Sequence, residues 1–148
     1  MHLSIVVVTW NAKKYVWECL SSLLKLKELE SSEIIVVDNN SSDGSQELVR
    51  ESFPSIKLIQ NDSNLGFGKA TNIGIKEATS EFVCLINSDV VVPEGCIESM
   101  FRYMEQNQDI GLLGPQMLGP NGSVHRSTMR FPTQIGRASC RERVCYAV

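Results

Sequence analysis

No run of eighteen apolar residues occurs in the chain, and its first apolar stretch, Leu3 to Val8, is short even for the core of a secretory leader. A cytoplasmic protein is therefore the default expectation, with peripheral attachment at the inner face of a membrane left open. An excess of either charge is also lacking: 14 basic against 17 acidic residues give a net charge of -3, and no reason to expect a nucleic-acid partner. The five cysteines (19, 84, 96, 140 and 145) are an odd set without CxxC spacing, and no histidine lies at ligand distance from a cysteine pair. Neither a disulfide framework nor a zinc site is indicated, and Cys19 and Cys84 sit in apolar patterns as small core residues. Glycine motifs are missing where nucleotide enzymes often carry them. There is no GxGxxG after the first apolar run, no GxxxxGK[ST] and no GxSxG.

What is present suffices for one domain. Of 148 residues, 43% are hydrophobic and 21% charged, which supports a real core and argues against disorder. Strand-like runs read at Leu3 to Val8, Glu33 to Val37, Ile56 to Gln60, Phe82 to Ile86 and Ile110 to Leu113. Helical spacing fills the intervals. Tyr15, Val16, Cys19, Leu20, Leu23 and Leu24 mark a helix over 12–26, with Asn11 as its expected N-cap. Further helices are expected at 46–51, capped by Ser42 or Asp43, at 69–78, and at 94–105 behind Pro93. Pro120-Asn-Gly-Ser123 is a turn signal that suits a hairpin. Apolar strands alternating with helices predict an α/β fold: a mainly parallel sheet, helices on both faces, right-handed crossovers.

The end of the chain differs in composition. Five of the seven arginines lie between 126 and 143, the last lysine is Lys76, and Glu142 is the one acid after Asp109. The segment from 134 to 148 reads as a basic tail without a capped element, disordered or non-native, against 1–133 as the folded domain.

Ligands of such sheets bind beyond the carboxyl ends of the strands. Here those ends are polar: Thr9-Trp10-Asn11, then Asp38-Asn39 through Gly44, then Asn61 through Gly68, then Asn87-Ser88-Asp89. Asp89 is thus expected to end a strand rather than interrupt one. Each loop alone could be turn chemistry, with Asn64 and Gly66 present for positive φ. Trp10 could stack on a base or pack on a helix. With no glycine loop to cradle a diphosphate, a divalent cation is the remaining way to neutralise it, and Asp89 is the acid best placed to hold one.

Taken in order, SIVVVTWNAKKYVWECLSSLL, IIVVDNNSSDGS, NLGFGKATNIGIKEA and CLINSDVVVPEG resemble the family 2 glycosyltransferases. They look most like the rhamnosyltransferase-type members that build bacterial surface polysaccharides. The resemblance covers about residues 2–133. It implies a GT-A nucleotide-diphospho-sugar transferase fold and inverting transfer from a nucleotide-diphosphate sugar to a saccharide or lipid-linked acceptor, with Mg²⁺ or Mn²⁺. By the same resemblance, Thr9, Trp10 and Asn11 hold the base, and Asp38 and Asn39 meet base and ribose. Asn64, Gly66, Phe67, Ala70 and Asn72 run beside the nucleotide. Asn87-Ser88-Asp89 stands at the family's DxD position, with Asn87 replacing the first acid, so metal ligation rests on Asp89.

The family's general base is a carboxylate in the second half of the domain, and no residue here matches it. The catalytic residue is unassigned, and the chain reads as the N-terminal, nucleotide-binding part of a longer enzyme. Two other readings stand beside this one: a nucleotidyltransferase, which would want a glycine-rich loop with Lys or Arg after the first strand, and a nucleotide-sugar-binding module without turnover.

Overall fold

The computed structural model describes residues 2–118, 122–125 and 143–147. In chain order the elements are β1 (Leu3–Thr9), α1 (Lys13–Leu24), a 3-10 turn (Lys27–Leu29), β2 (Glu33–Asp38), α2 (Ser45–Ser52), β3 (Lys57–Gln60), α3 (Phe67–Glu77), β4 (Phe82–Asn87), α4 (Cys96–Gln106), β5 (Leu112–Leu113), β6 (Met117–Leu118), β7 (Val124–His125) and β8 (Arg143–Ala147). The main sheet runs β3-β2-β1-β4-β8-β5 with every described pairing parallel. β6 and β7 pair antiparallel around the expected turn, where Gly122 has φ +75°. Among the described residues no helix is long and apolar enough to cross a membrane.

The central strands β1, β2 and β4 are mostly apolar because both faces of the sheet are covered there, whereas the edge strand β3 exposes Lys57 and Gln60. On one face Leu3, Ile5 and Val7 pack with Val16, Cys19, Leu20 and Leu23 of α1, Val49 of α2, and Ile97, Met100, Phe101 and Met104 of α4. Phe82 and Phe101 meet edge to face there, their centroids 5.0 Å apart. On the other face Val6, Ile35, Val37, Val83 and Leu85 pack against Ala70 of α3. Alternate residues of each strand thus serve opposite layers. Tyr15 and Leu24, expected to face inward, are instead about half exposed, so the buried stripe of α1 is the narrower set Val16, Cys19, Leu20 and Leu23.

The expectation of a tail without an element is corrected at Arg143–Ala147, which forms β8 between β4 and β5. By residue type Val144 and Tyr146 favour a strand, and the edge of β4 supplies backbone groups for the backbone of this segment to pair with. The arginine-rich context conceals this run in the sequence. The rest of the tail, 134–142 and 148, lies outside the described residues.

α3 approaches the sheet closely at Gly74. A Cβ there would stand 2.3 Å from Val6 Cγ1 and 3.2 Å from Val37 Cγ2, contacts that β-branched core residues cannot relieve cheaply. Gly74→Ala is therefore expected to cost about 1–3 kcal/mol in denaturant unfolding. Gly68→Ala, in the same helix with nothing within 4 Å of its Cβ, should be neutral or stabilise by up to about 1 kcal/mol. Equal effects of the two substitutions would contradict this packing.

Candidate functional site

The parallel register brings the polar strand exits level. Thr9 pairs with Asp38, Asp38 with Gln60, and Val8 with Asn87. Beyond this edge opens a cleft of about 750 Å³, within the size range of small-molecule sites. The β1 exit contributes Thr9, Trp10 and Asn11 to its walls, the β2 and β3 exits Asn39, Asn64, Gly66 and Phe67, and the β4 exit Asn87, Ser88 and Asp89. Trp10 is 54% exposed and lines the cleft, so part of its ring is open to a ligand there.

The loops hold one another by hydrogen bonds. Asn11 is not the N-cap of α1: it adopts φ +48°, its N–H donates to Ser41 Oγ (2.8 Å), and its Oδ1 accepts from the Ser42 N–H (2.8 Å). The cap comes from another loop. Asp43 Oδ2 accepts from the Lys13 N–H (2.8 Å), while Oδ1 accepts from the N–H (3.0 Å) and hydroxyl (2.5 Å) of Ser45. One carboxylate therefore serves the N-termini of both α1 and α2.

Asp38 and Asn39 divide the work at the end of β2. Asp38 is fully buried; its Oδ1 accepts from the Ser41 N–H (2.8 Å) and from Gln46 Nε2 (2.6 Å). Its Oδ2, and the Thr9 hydroxyl beside it in register, are buried with no hydrogen-bond partner among the described residues. A carboxylate oxygen left in that state is costly unless a donor reaches it. Asn39, 3% exposed, bonds instead to the loop after β3.

At the end of β4 the Cys19 thiol donates to the Asn87 carbonyl (3.7 Å), and the Val92 N–H donates to Ser22 Oγ (3.2 Å), so α1 holds both ends of the turn that carries Asp89. Burial first, and the nearby Asp89 carboxylate second, push the Cys19 thiol up to about 12, which keeps it protonated as a donor. Asp89 is exposed on the cleft wall and forms no ion pair among the described residues.

Of the expected residues, Thr9, Trp10, Asn11, Asn39, Asn64, Gly66, Phe67, Asn87 and Asp89 share the cleft, whereas Asp38, Ala70 and Asn72 do not line it. Asp38 lies buried at the edge, Ala70 is core beneath α3, and Asn72 is exposed elsewhere on that helix. Sequence reasoning missed Tyr15, which lines the cleft from α1 because its helical spacing suggested burial. It also missed Gln46 and Asn61, whose signal was only polarity inside an element or at its end. A second cleft of about 760 Å³, bordered by His2, Glu28, Glu81 and Arg102, lies by the amino ends of the strands, away from these exits.

This arrangement has known counterparts. The family model for glycosyl transferase family 2 matches residues 4–144. The chain belongs to glycosyl transferase family 2. It is 28% identical over 144 residues to N-acetylglucosaminyl-diphospho-decaprenol L-rhamnosyltransferase of Mycobacterium tuberculosis, covering 90% of this chain and 47% of that protein. It is 32% identical over 127 residues to the poly(ribitol-phosphate) beta-N-acetylglucosaminyltransferase TarS of Staphylococcus aureus, covering 82% of this chain and 22% of TarS. The crystal structure of TarS 1–349 in complex with UDP-GlcNAc superposes with TM-score 0.72 at 29% identity, over 86% of this chain and 38% of that one. A mannosyltransferase of Pyrobaculum calidifontis, solved with GDP-Man and Mn²⁺, shares the fold (TM-score 0.70, 22% identity, 78% and 35% covered). The α/β architecture is thus that of the GT-A glycosyltransferases, and the chain spans about half the length of the mycobacterial relative.

Within this family 2 scaffold, no group of three or more His, Cys, Asp or Glu side chains suited to a metal ion occurs among the described residues. The donor set nevertheless fits a hard divalent cation of the Mg²⁺ type. Such an ion takes one or two carboxylates and completes its shell with phosphate oxygens and water. Asp89, unpaired on the cleft wall, supplies one carboxylate, and Asn87 supplies no charge.

Asp43 invites a stability test. Partial burial works to raise its carboxyl, but hydrogen bonds from the Ser45 hydroxyl and the Lys13 and Ser45 N–H groups outweigh it and hold the group below its ordinary value of 3.8. A carboxyl lowered in the folded state stabilises fully above its unfolded value, and that contribution is lost as pH falls through the folded value. Asp43→Ala should cost about 1–3 kcal/mol, since two helix caps go at once. Asp43→Asn should flatten the fall of melting temperature below about pH 4. An unchanged acid limb in Asp43→Asn would show that these bonds contribute nothing.

Proposed function

We propose that this chain forms the donor-binding part of an inverting, metal-assisted glycosyltransferase. The enzyme moves a sugar from a nucleoside diphosphate to a saccharide or lipid-linked acceptor in surface-polysaccharide synthesis. One observation carries the proposal: a half-exposed tryptophan and an unpaired aspartate, Trp10 and Asp89, face the same cleft across the ends of β1 and β4. Trp10 gives a base a flat apolar face to stack on. Asp89 marks where the diphosphate and its cation sit. When bound, the cation neutralises the charge that develops on the departing diphosphate. The unpartnered Thr9 hydroxyl, on the cleft wall, supplies a donor or acceptor for the polar edge of the base or the ribose, with the buried Asp38 carboxylate behind it in register.

Inverting transfer also requires a base that takes the proton of the acceptor hydroxyl, a contribution of about 10²–10⁴-fold. Asp89 is the one acid on the cleft wall, and the metal role occupies it. The base is therefore assigned to no described residue. More than half of the mycobacterial relative lies outside the match, and we place the acceptor side of the reaction there.

The chain should accordingly bind a nucleoside diphosphate but transfer sugar negligibly. Calorimetric titration with UDP or GDP is expected to show binding that needs Mn²⁺ or Mg²⁺. Chelator should weaken it, and so should Asp89→Ala, each by tenfold or more, about 1.4 kcal/mol. Trp10→Ala should weaken it with or without the metal, by about 1 kcal/mol. Identical affinities in chelator and in metal, for wild type and Asp89→Ala alike, would remove the metal role. Efficient glycosylation of an acceptor by the chain alone would remove the division between donor and acceptor halves.

A further inference from the structure

Asn39 stands at the β2 exit and lines the cleft, which invites a direct role in holding ligand. Its amide, however, is already engaged on both ends. Oδ1 accepts from Asn61 Nδ2 (2.9 Å) and from the Leu65 N–H (3.4 Å), and Nδ2 donates to the Gly66 carbonyl (3.4 Å). A backbone donor on one side and a backbone acceptor on the other fix which end of the amide is which. A carboxylate in this place could not donate to Gly66, and would bury a charge beside a carbonyl.

The backbone runs into the same point from two strands. The Asn39 N–H donates to the Thr9 carbonyl and the Asn61 N–H to the Asp38 carbonyl, each at 2.9 Å. Farther along, the Gly66 N–H donates to Asn64 Oδ1 (2.9 Å) while Gly66 holds φ +79°, a conformation that favours glycine. Asn64, Gly66 and Phe67 then form one wall of the cleft. Asn61 is buried, 8% exposed, and does not line the cleft.

We infer that Asn39 and Asn61 act as a pair of positioning residues: their buried amides lock the 61–67 segment against the β1 and β2 exits, so that the wall formed by Asn64, Gly66 and Phe67 is ordered before a nucleoside diphosphate arrives. Asn39 acts through that segment and does not read the nucleotide. The inference rests on the reading of the cleft as a donor site. Its physical content is preorganisation, in which ordering the wall in the free protein spares the ligand that entropic cost.

The test uses the full chain with UDP or GDP and Mn²⁺, comparing Asn61→Ala, Asn39→Asp, Asn39→Ala and the Asn39→Ala/Asn61→Ala pair. Asn61→Ala changes no cleft-lining side chain, yet should raise the nucleotide dissociation constant about three- to tenfold, the effect of losing one buried hydrogen bond. Asn39→Asp should raise it at least as much, and the double variant no more than Asn39→Ala alone, because both residues act on one segment. Hydrogen exchange at the Leu65 and Gly66 amides in the free protein should accelerate in every variant, whether or not nucleotide binds. Asn39→Asp that binds as tightly as wild type would overturn the inference. So would loss of affinity on Asn39→Ala with none on Asn61→Ala, which would mean that Asn39 touches the nucleotide. If wild type binds neither nucleotide, the donor-site reading fails, while the exchange data still decide whether the pair holds the loop. Unchanged exchange at Leu65 and Gly66 would sink it in that case too.

Discussion

The parallel pairing of β1 with β2 on one side and β4 on the other is the constraint on which the rest depends. It sets Thr9 opposite Asp38 and Val8 opposite Asn87, so three chain segments leave the sheet at one level. Parallel strands must be joined by crossovers, and those crossovers supply the helices that bury both faces. The central strands β1, β2 and β4 can then be apolar along most of their length, and most of their polarity is left to the exits. A slip of one residue would exchange the two faces of β1, moving Val6 off α3 and the Ile5 and Val7 pair off α1. The close seat of Gly74 on Val6 adds a steric lock to the same register.

At the exit edge the polar groups mostly satisfy one another. Asn11 bonds to Ser41 and Ser42, Asp43 caps two helices, and Asn39 joins Asn61 to Gly66. The cleft walls are therefore shaped without any ligand. The buried polar atoms left without a partner among the described residues are Asp38 Oδ2 and the Thr9 and Thr71 hydroxyls, and the Asp89 carboxylate stands exposed on the cleft wall. The Thr9 hydroxyl and the Asp89 carboxylate, with the open ring of Trp10, give the cleft its chemical character. α1 connects the layers, since its buried side packs the core while Cys19 and Ser22 hold the turn bearing Asp89.

Much of this was legible in the chain. Apolar runs of strand length, separated by helical periods, specify a parallel sheet because no other layer arrangement buries them on both sides. The four polar exits marked one edge, and the spacing of their motifs pointed to family 2 and to most residues that line the cleft. Composition misled at Arg143–Ala147, where surrounding arginines masked a short strand, and at Tyr15, whose helical spacing matched the buried stripe without belonging to it.

The sequence by itself determined the order of elements and which edge would be polar, because periodicity and side-chain hydropathy are local properties carried by neighbours in the chain. Only the tertiary structure decided how the polar residues divide into those that hold the loops and those that remain open. That Asp43 caps α1 from thirty residues away, that Asn39 is consumed by Asn61 and Gly66, and that one oxygen of Asp38 stays unpaired are outcomes of contact between distant loops. A hydrogen bond depends on distance and direction in space, and residue spacing along the chain encodes neither when the partners lie on different strands.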